Sequence, residues 1–419
     1  MSTDKILVPF NRPDIDEADI ARVVATLRSG WITTGPAVRE FESGLRAYLG
    51  VSHVICLNSA TAAMEMALLA LGIGPGDEVV TTVYTYAATA NIVRHTGARL
   101  VLVDIGAEGF AIDPAAVEAA VNARTKAVIS VDFAGIPCNY RALRTAIDSH
   151  KREFVASNEF QASIGGAAIL ADAAHALGAS FSGKRVPEWA DMAAYSFHAV
   201  KNLTTAEGGA LAFADLGRGG GNHFGEQSSG PVSEGFERRV RLLALHGQSK
   251  DALAKMAAGS WEYDIEVSGY KHNMTDIQAA LGIGQLARYG ARLERRRAIC
   301  RRYQEGLPES LWIHPFDAFL DASPEDRPAF HIYPLRIRGY DVAKRNALIA
   351  SLALEGVAAN VHFKPLPLFT AFRDEFDIMQ YPNAWAAWSS EITLPLYPGM
   401  TDEQVEYVIM SLRKIVGLD

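Results

Sequence analysis

The sequence predicts an α/β fold, with a largely parallel sheet between helices and a smaller α+β unit in the C-terminal part of the chain. Three observations predict it. From residue 53 onward, short apolar runs alternate with helical stretches, which is the pattern of parallel strands joined by crossover helices. The runs lack polar alternation, as expected of strands covered on both faces. At 419 residues, 49% hydrophobic and 21% charged, the chain exceeds one ordinary domain and can bury a large core around a deep site.

The elements follow in order. HVICL reads as a strand and TAAMEMALLAL as a helix closed by Gly72. EVVTTV is a strand, and YAATANIVRHT a helix ending near Gly97. LVLVDI is a strand, followed by the helix DPAAVEAAV with Asp113 and Pro114 as start signals. KAVISVDF, AAILADA and MAAYSF are further buried runs. Two segments interrupt the rhythm: a polar stretch at 149–166, and the glycine-rich 217–231, which the composition predicts to be a mobile loop. A long helical pattern runs from Thr275 to about Glu305. Beyond it come the strand FHIYPLRI, the helix VAKRNALIASLALEG, the extended VAANVHF and a last helix begun by a Thr401/Gln404 capping box. The expected division is a large unit of residues 1–279 and a small one of residues 280–419.

Composition narrows the function classes. The net charge is −8 and spread along the chain, unlike the basic footprint of a nucleic-acid binder. The cluster RLERRRAICRR reads as the solvated face of a helix. Cys56, Cys138 and Cys300 form neither a disulfide framework nor a zinc motif and suit a reducing cytoplasm. The start carries no apolar signal core, and no run approaches a membrane span. No metal, nucleic-acid or membrane partner is expected, and the expected location is cytoplasmic.

In open α/β sheets, ligands bind beyond the carboxyl ends of the strands. Four places there carry suitable polar residues. NSATAAME follows HVICL; small residues opening a helix expose amides to an anion, although Ser59 or Thr61 also suits an ordinary cap. Tyr84 and Tyr86 follow the next strand, as ring-stacking aromatics or as core. Asp172 ends an apolar run, where an acid is costly unless paired, and His175 lies three residues on; helix capping is the alternative. Finally YSFHAVKNLTTAEGG places Lys201 just after a buried strand, with Ser196 beside it. A desolvated lysine has a lowered pKa and forms imines with aldehydes, whereas an isolated lysine is usually exposed. Together the four supply a phosphate cradle, a stacking aromatic, a carboxylate and an imine-forming lysine. These are the needs of pyridoxal 5′-phosphate (PLP).

The stretches SGWITTGPAVREFE, NSATAAMEMALLALGIGPGDEVV, VDFAGIP, ADAAHALGA, YSFHAVKNLTTAEGG, GYKHNMTDIQAALG and VAANVHFKPLP resemble the DegT/DnrJ/EryC1/StrS sugar aminotransferases, which are fold type I PLP enzymes. The resemblance implies a mixed, mostly parallel sheet in the large domain. It implies Lys201 as the Schiff-base lysine that moves the α-proton, Asp172 paired with the pyridinium nitrogen, and His175 beside the ring hydroxyl. Tyr86 would stack on the ring, where close relatives have tryptophan. The amides of Ala60 and Thr61 and the Ser196 hydroxyl would hold the phosphate. Lys271 and Asn273 would reach it from a second subunit, making a homodimer with shared active sites. Thr34, Gly35 and His362 would lie near the sugar.

Within the family the motifs are most similar to those of enzymes that aminate C4 of UDP-linked 4-keto sugars, such as those making UDP-4-amino-4-deoxy-L-arabinose. The implied reaction carries an amino group from an amino acid, L-glutamate by expectation, to a nucleotide-linked keto sugar in two half-reactions. The sequence also departs from the pattern. Ala171 stands where an acid is usual, and Lys271 where most relatives have asparagine, although the arabinose enzyme also has lysine; the inserts 149–166 and 217–231 are absent from that enzyme, so its exact substrate does not carry over, and the second is placed to reshape the sugar-nucleotide entrance. Amination at C3 is the main alternative. A PLP- or PMP-dependent sugar dehydratase is expected to have histidine in place of Lys201. A PLP-binding regulator is expected to add a DNA-binding or signalling module, and none is read here.

Overall fold

The computed structural model describes residues 7–216, 230–249, 261–320 and 325–418. Two helices, α1 (Glu17–Ser29) and α2 (Pro36–Leu49), precede the α/β region. That region comprises β1 (His53–Leu57), α3 (Ala60–Ala70), β2 (Glu78–Thr82), α4 (Ala87–Thr96), β3 (Arg99–Val103), α5 (Pro114–Ala120) and β4 (Thr125–Val131). It continues through α6 (Tyr140–Asp148), α7 (Glu159–Ile164), β5 (Ala168–Asp172), the hairpin β6 (Ser180–Phe181) and β7 (Lys184–Arg185), and α8 (Val186–Trp189). It closes with β8 (Met192–Ser196), β9 (Gly209–Phe213) and α9 (Pro231–Ala244).

Seven strands form one sheet in the order β1-β9-β8-β5-β4-β2-β3. Pairs among β3, β2, β4, β5 and β8 are parallel, as the alternation predicts; β9 runs antiparallel to both β8 and β1. Every residue of β1, β2, β4 and β5 is buried. Successive side chains feed two separate cores: Ile55 and Leu57 of β1 enter one, while Val54 and Cys56 enter the other. A sheet covered in this way presents its polar chemistry only at its strand ends.

The helical pattern after Thr275 is two helices, α10 (Asp276–Ala287) and α11 (Tyr289–Gly306), broken at Arg288. The expected division at 279/280 falls inside α10; we place it at this break instead. Downstream, β10 (Trp312–Ile313), β11 (Tyr333–Ile337) and β12 (Glu391–Leu394) make an antiparallel sheet in that order, accompanied by α12 (Val342–Leu354), α13 (Pro382–Ser390) and α14 (Asp402–Val416). The capping box at Thr401 and Gln404 forms as predicted.

One sequence expectation needs correction. The arginine cluster of α11 is not a solvated face. Arg292 and Arg296 are buried, and Arg296 donates to the carbonyls of His331 and Leu396, each at 3.0 Å. Arg297 and Arg301 both donate to Leu320 O. Five N–H donors per guanidinium let one helix gather carbonyls from several irregular segments, which charge counting does not show. The polar stretch 149–166 forms a 3-10 turn (Lys151–Glu153) and α7. Asn158 caps α7, and Asn158 and Gln161 both donate to Leu71 O, at 2.7 and 2.9 Å. Leu71 lies at the far end of α3 from the strand-end chemistry, about 16 Å away for a helix of this length. The insert 217–231 lies outside the described residues except for Gly230 and Pro231.

Candidate active site

At the carboxyl edge of the sheet a cavity of about 420 Å³ is lined by Ala60, Thr61, Tyr86, Asp172, His175, Ser196, Lys201 and His362. Local folding brings each residue there. Ser59 caps α3 by accepting from Ala62 N at 3.0 Å. The first-turn amides of Ala60 and Thr61 then have no partner within the helix and open on the cavity. The cap and the anion cradle are thus the same structure. Gly209 of β9 packs against it so closely that a Cβ would lie 2.3 Å from Ala60 N.

Asp172 ends β5 and caps no helix. Its Oδ2 accepts from Thr89 Oγ1 at 2.8 Å, and Thr89 is itself 2.8 Å from Thr85 Oγ1. Burial raises the Asp172 pKa, while the Thr89 bond, the Ala174 amide and the Lys201 charge pull it down. Lys201 sits in a turn pinned by its own N–H to His198 O at 2.9 Å and by Asn202 Nδ2 to Ala329 O at 2.7 Å. Burial pushes its pKa down to about 8, against the opposing Asp172 carboxylate. His175 Nδ1 accepts from Ala134 N at 3.2 Å, so in the neutral ring the proton is on Nε2. Burial, then Lys201 and His362, keep this ring neutral.

The aromatics separate. Tyr84 is fully buried and donates to His362 O at 2.9 Å, so it is a core residue. Tyr86 is 65% exposed at the start of α4, its ring 6.0 Å from that of Phe363. His362 stacks on Phe10 at 5.6 Å.

Four expected residues lie off this cavity within the chain. Asn273 donates to Thr34 Oγ1 at 2.6 Å, Thr34 to Met274 O at 2.6 Å, and Gly35 N to Asp276 Oδ1 at 2.8 Å. Lys271 is exposed and bonds Asn273 Oδ1. Sequence reasoning also missed residues that shape the cavity: Thr89, His331, Phe363, Glu391 and Thr393. His331 is buried, with its ring 4.3 Å from that of His175 and Nδ1 2.9 Å from Asn202 Oδ1.

A neutral-prone lysine, a buried carboxylate facing it, an N–H donor and a helix N-terminus around one cavity define a site for an aldehyde cofactor that bears a phosphate and a basic ring nitrogen. The chain belongs to the DegT/DnrJ/EryC1/StrS aminotransferase family, whose model matches residues 13–218 and 231–413. It is 37% identical over 415 residues to the spore coat polysaccharide biosynthesis protein SpsC of Bacillus subtilis (strain 168), a match covering 98% of this chain and 97% of that protein. The sugar aminotransferase Spr1654 of Streptococcus pneumoniae, described as putative, is 42% identical in its PMP form, with a TM-score of 0.90 over 98% of this chain and 99% of that one. Its PLP form is 41% identical, with the same TM-score over 99% of each chain. PseC of Helicobacter pylori, an aminotransferase involved in the biosynthesis of pseudoaminic acid, is 25% identical, with a TM-score of 0.83 over 99% of this chain and 100% of that one. The fold is that of the fold type I PLP aminotransferases, and the cofactor is PLP.

Proposed function

We propose that this chain transfers the amino group of an amino acid, L-glutamate, to the C4 keto group of a nucleotide-linked sugar, as its motifs resemble those of the UDP-4-keto-sugar enzymes. The observation that carries the reading is Lys201 at the cavity, with a pKa near 8 and Asp172 opposite. Residues present fit the cofactor: the Gly209-backed amides of Ala60 and Thr61 and the Ser196 hydroxyl would hold its phosphate, Tyr86 would lie against its ring, His175 Nε2–H would donate to its hydroxyl, and Asp172, oriented by Thr89, would pair with its ring nitrogen. Bound there, PLP supplies an aldehyde for amine exchange and a ring that accepts the electron pair left by α-proton removal.

The chain's own residues do the rest. Lys201, as a free amine poised near neutrality, would take the donor's α-proton and give it back on the far side of the nitrogen. His362 faces the sugar. A homodimer brings the partner's copies of Lys271 and Asn273 to the phosphate and of Thr34 and Gly35 to the sugar, which accounts for their distance from Lys201 within one chain. The reaction belongs to the cytoplasm, where buried free thiols such as Cys56, Cys138 and Cys300 persist.

The test begins with PLP-loaded protein and L-glutamate. The visible absorption band is expected to disappear as 2-oxoglutarate is released, and Lys201→Ala is expected to show neither band nor release. UDP- and dTDP-linked 4-keto and 3-keto sugars are then offered, with NMR locating the new amine. Amination of 3-keto sugars alone overturns the C4 assignment. A Lys201→Ala variant indistinguishable from wild type overturns the site.

A further inference from the structure

His362 lies in an extended segment that runs antiparallel to β12. Asn360 and Thr393 exchange backbone hydrogen bonds at 3.0 and 2.7 Å, which sets His362 opposite Glu391 two residues on. Glu391 and Thr393 share one face of β12, and both are completely buried. The three side chains close a circuit. Glu391 Oε2 accepts His362 N–H at 3.0 Å, Glu391 Oε1 contacts Thr393 Oγ1, and Thr393 Oγ1 lies 2.9 Å from His362 Nδ1. Nδ1 is thus engaged from behind, which leaves Nε2 for the cavity that His362 lines.

We propose that Glu391, acting through Thr393, is a positioning residue that fixes which nitrogen of His362 carries the proton, so that Nε2–H donates to an oxygen of the keto-sugar substrate. This rests on the function proposed above. Thr393 has one proton to give, so the circuit runs in only two directions. With Glu391 protonated, its O–H donates to Thr393, Thr393 donates to Nδ1, and the ring proton sits on Nε2. With Glu391 ionised, Thr393 donates to the carboxylate, Nδ1–H donates to Thr393, and Nε2 becomes an acceptor. A substrate carbonyl or phosphate oxygen is bound only in the first state.

The surroundings favour that state. Among the described residues no cation pairs with the Glu391 carboxylate; Arg345, on α12, donates instead to the carbonyls of Trp388 and Glu391, at 2.9 and 2.8 Å. Burial raises the Glu391 pKa to about 8, against the pull of Thr393, the His362 amide and Arg345. The other charged or titratable groups facing the circuit are Tyr84, Arg336 of β11, and Lys201, His175 and His331 across the cavity. His362 stays neutral, its pKa held near 4 by burial and Lys201, so its tautomer and not its charge is what the circuit controls.

The experiment measures holoenzyme kinetics with the accepted keto sugar from about pH 6 to about pH 10, together with ¹⁵N NMR of the His362 imidazole. In wild type, the sugar KM is expected to rise ~10-fold as pH passes Glu391's pKa, the loss of about one hydrogen bond, with the ¹⁵N signature moving from Nε2–H to Nδ1–H. Glu391→Gln has a permanent N–H donor for Thr393, so KM is expected to stay low and the Nε2–H signature to persist across the range. Thr393→Val is expected to raise the sugar KM ~10-fold without a matching change in KM for the amino donor. Lys201 titrates in the same window, and its contribution cancels between wild type and Glu391→Gln. Superimposable pH curves for those two, or an unchanged imidazole signature, overturn the proposal alone. A wild type that completes the donor half-reaction but aminates no keto sugar overturns the functional reading and this proposal with it.

Discussion

Asp172 shows what one residue's environment contributes. A carboxylate at the end of a buried strand is costly unless something compensates it, and among the described residues Thr89 is its one side-chain donor, at 2.8 Å. Removing that hydroxyl with Thr89→Val frees the acid to rotate and lets burial raise its pKa further, weakening its hold on a cationic ring nitrogen. A hydrogen bond to a charged group contributes about 1.5–3 kcal/mol, so PLP affinity is expected to fall on the order of 10- to 100-fold. Titrating apo-protein with PLP and following the visible band measures it; unchanged affinity would remove Thr89 and Asp172 from the ring-nitrogen role. Asp172, His175, Ser196 and Lys201 were legible in the sequence because each directly follows or ends an apolar run at one edge of the predicted sheet. Glu391 carries the same signal, an acid heading the apolar run EITLPLYPG, yet it is not singled out there because no strand had been placed. His331 and Thr393 gave no signal, since a buried polar residue in or just before a core strand acquires meaning only through neighbours distant in sequence.

At the scale of elements, hydrophobic runs placed β1 to β5 and β8, and glycine placed the end of α4. In the seven-stranded sheet, the strand they did not reveal is β9, whose sequence GALAF is too rich in small residues to read as a strand. That smallness has a reason, because β9 must lie against the first turn of α3. Gly209→Ala would set a Cβ 2.3 Å from Ala60 N and 2.6 Å from Ser59 O, both backbone atoms that yield only if the helix start moves. The expected result is a stability loss of about 1–3 kcal/mol together with poor PLP retention. Gly235→Ala, inside α9, meets only Phe160 Cε1 at 3.6 Å and is expected to stabilise by about 0.5–1 kcal/mol. Thermal unfolding of the two variants, each with and without PLP, checks the contrast. Equal behaviour would mean that the α3–β9 contact does not set the phosphate cradle.

For the whole molecule, the open matter is why a site whose cofactor-contacting parts sit in one cavity should leave Lys271, Asn273, Thr34 and Gly35 outside it. Lys271, Asn273 and Thr34 form their own hydrogen-bonded group, with Gly35 next to Thr34 donating to Asp276, and the segment leading to Lys271 exposes Trp261 to 79%, along with Tyr263, Ile265 and Tyr270. Exposed large apolar side chains in the segment leading to a lysine with a proposed phosphate role suit the proposed homodimer, in which each subunit completes its partner's site. Complementation tests this directly. Lys201→Ala is expected to be inactive, and Lys271→Ala to be impaired mainly in PLP retention. Refolded together in equal amounts, the two variants form mixed dimers with one doubly defective site and one intact site, in which Lys201 and Lys271 come from different chains. With half the dimers mixed and one of their two sites intact, activity at limiting PLP is expected to recover to about a quarter of the wild-type value. If Lys271 instead serves its own chain, no mixed dimer contains an intact site, and mixing yields no more activity than the Lys271→Ala protein brings alone. Size-exclusion chromatography of Trp261→Ser with Tyr270→Ser, expected to shift the protein toward monomer with parallel loss of turnover, tests the same face without touching Lys201.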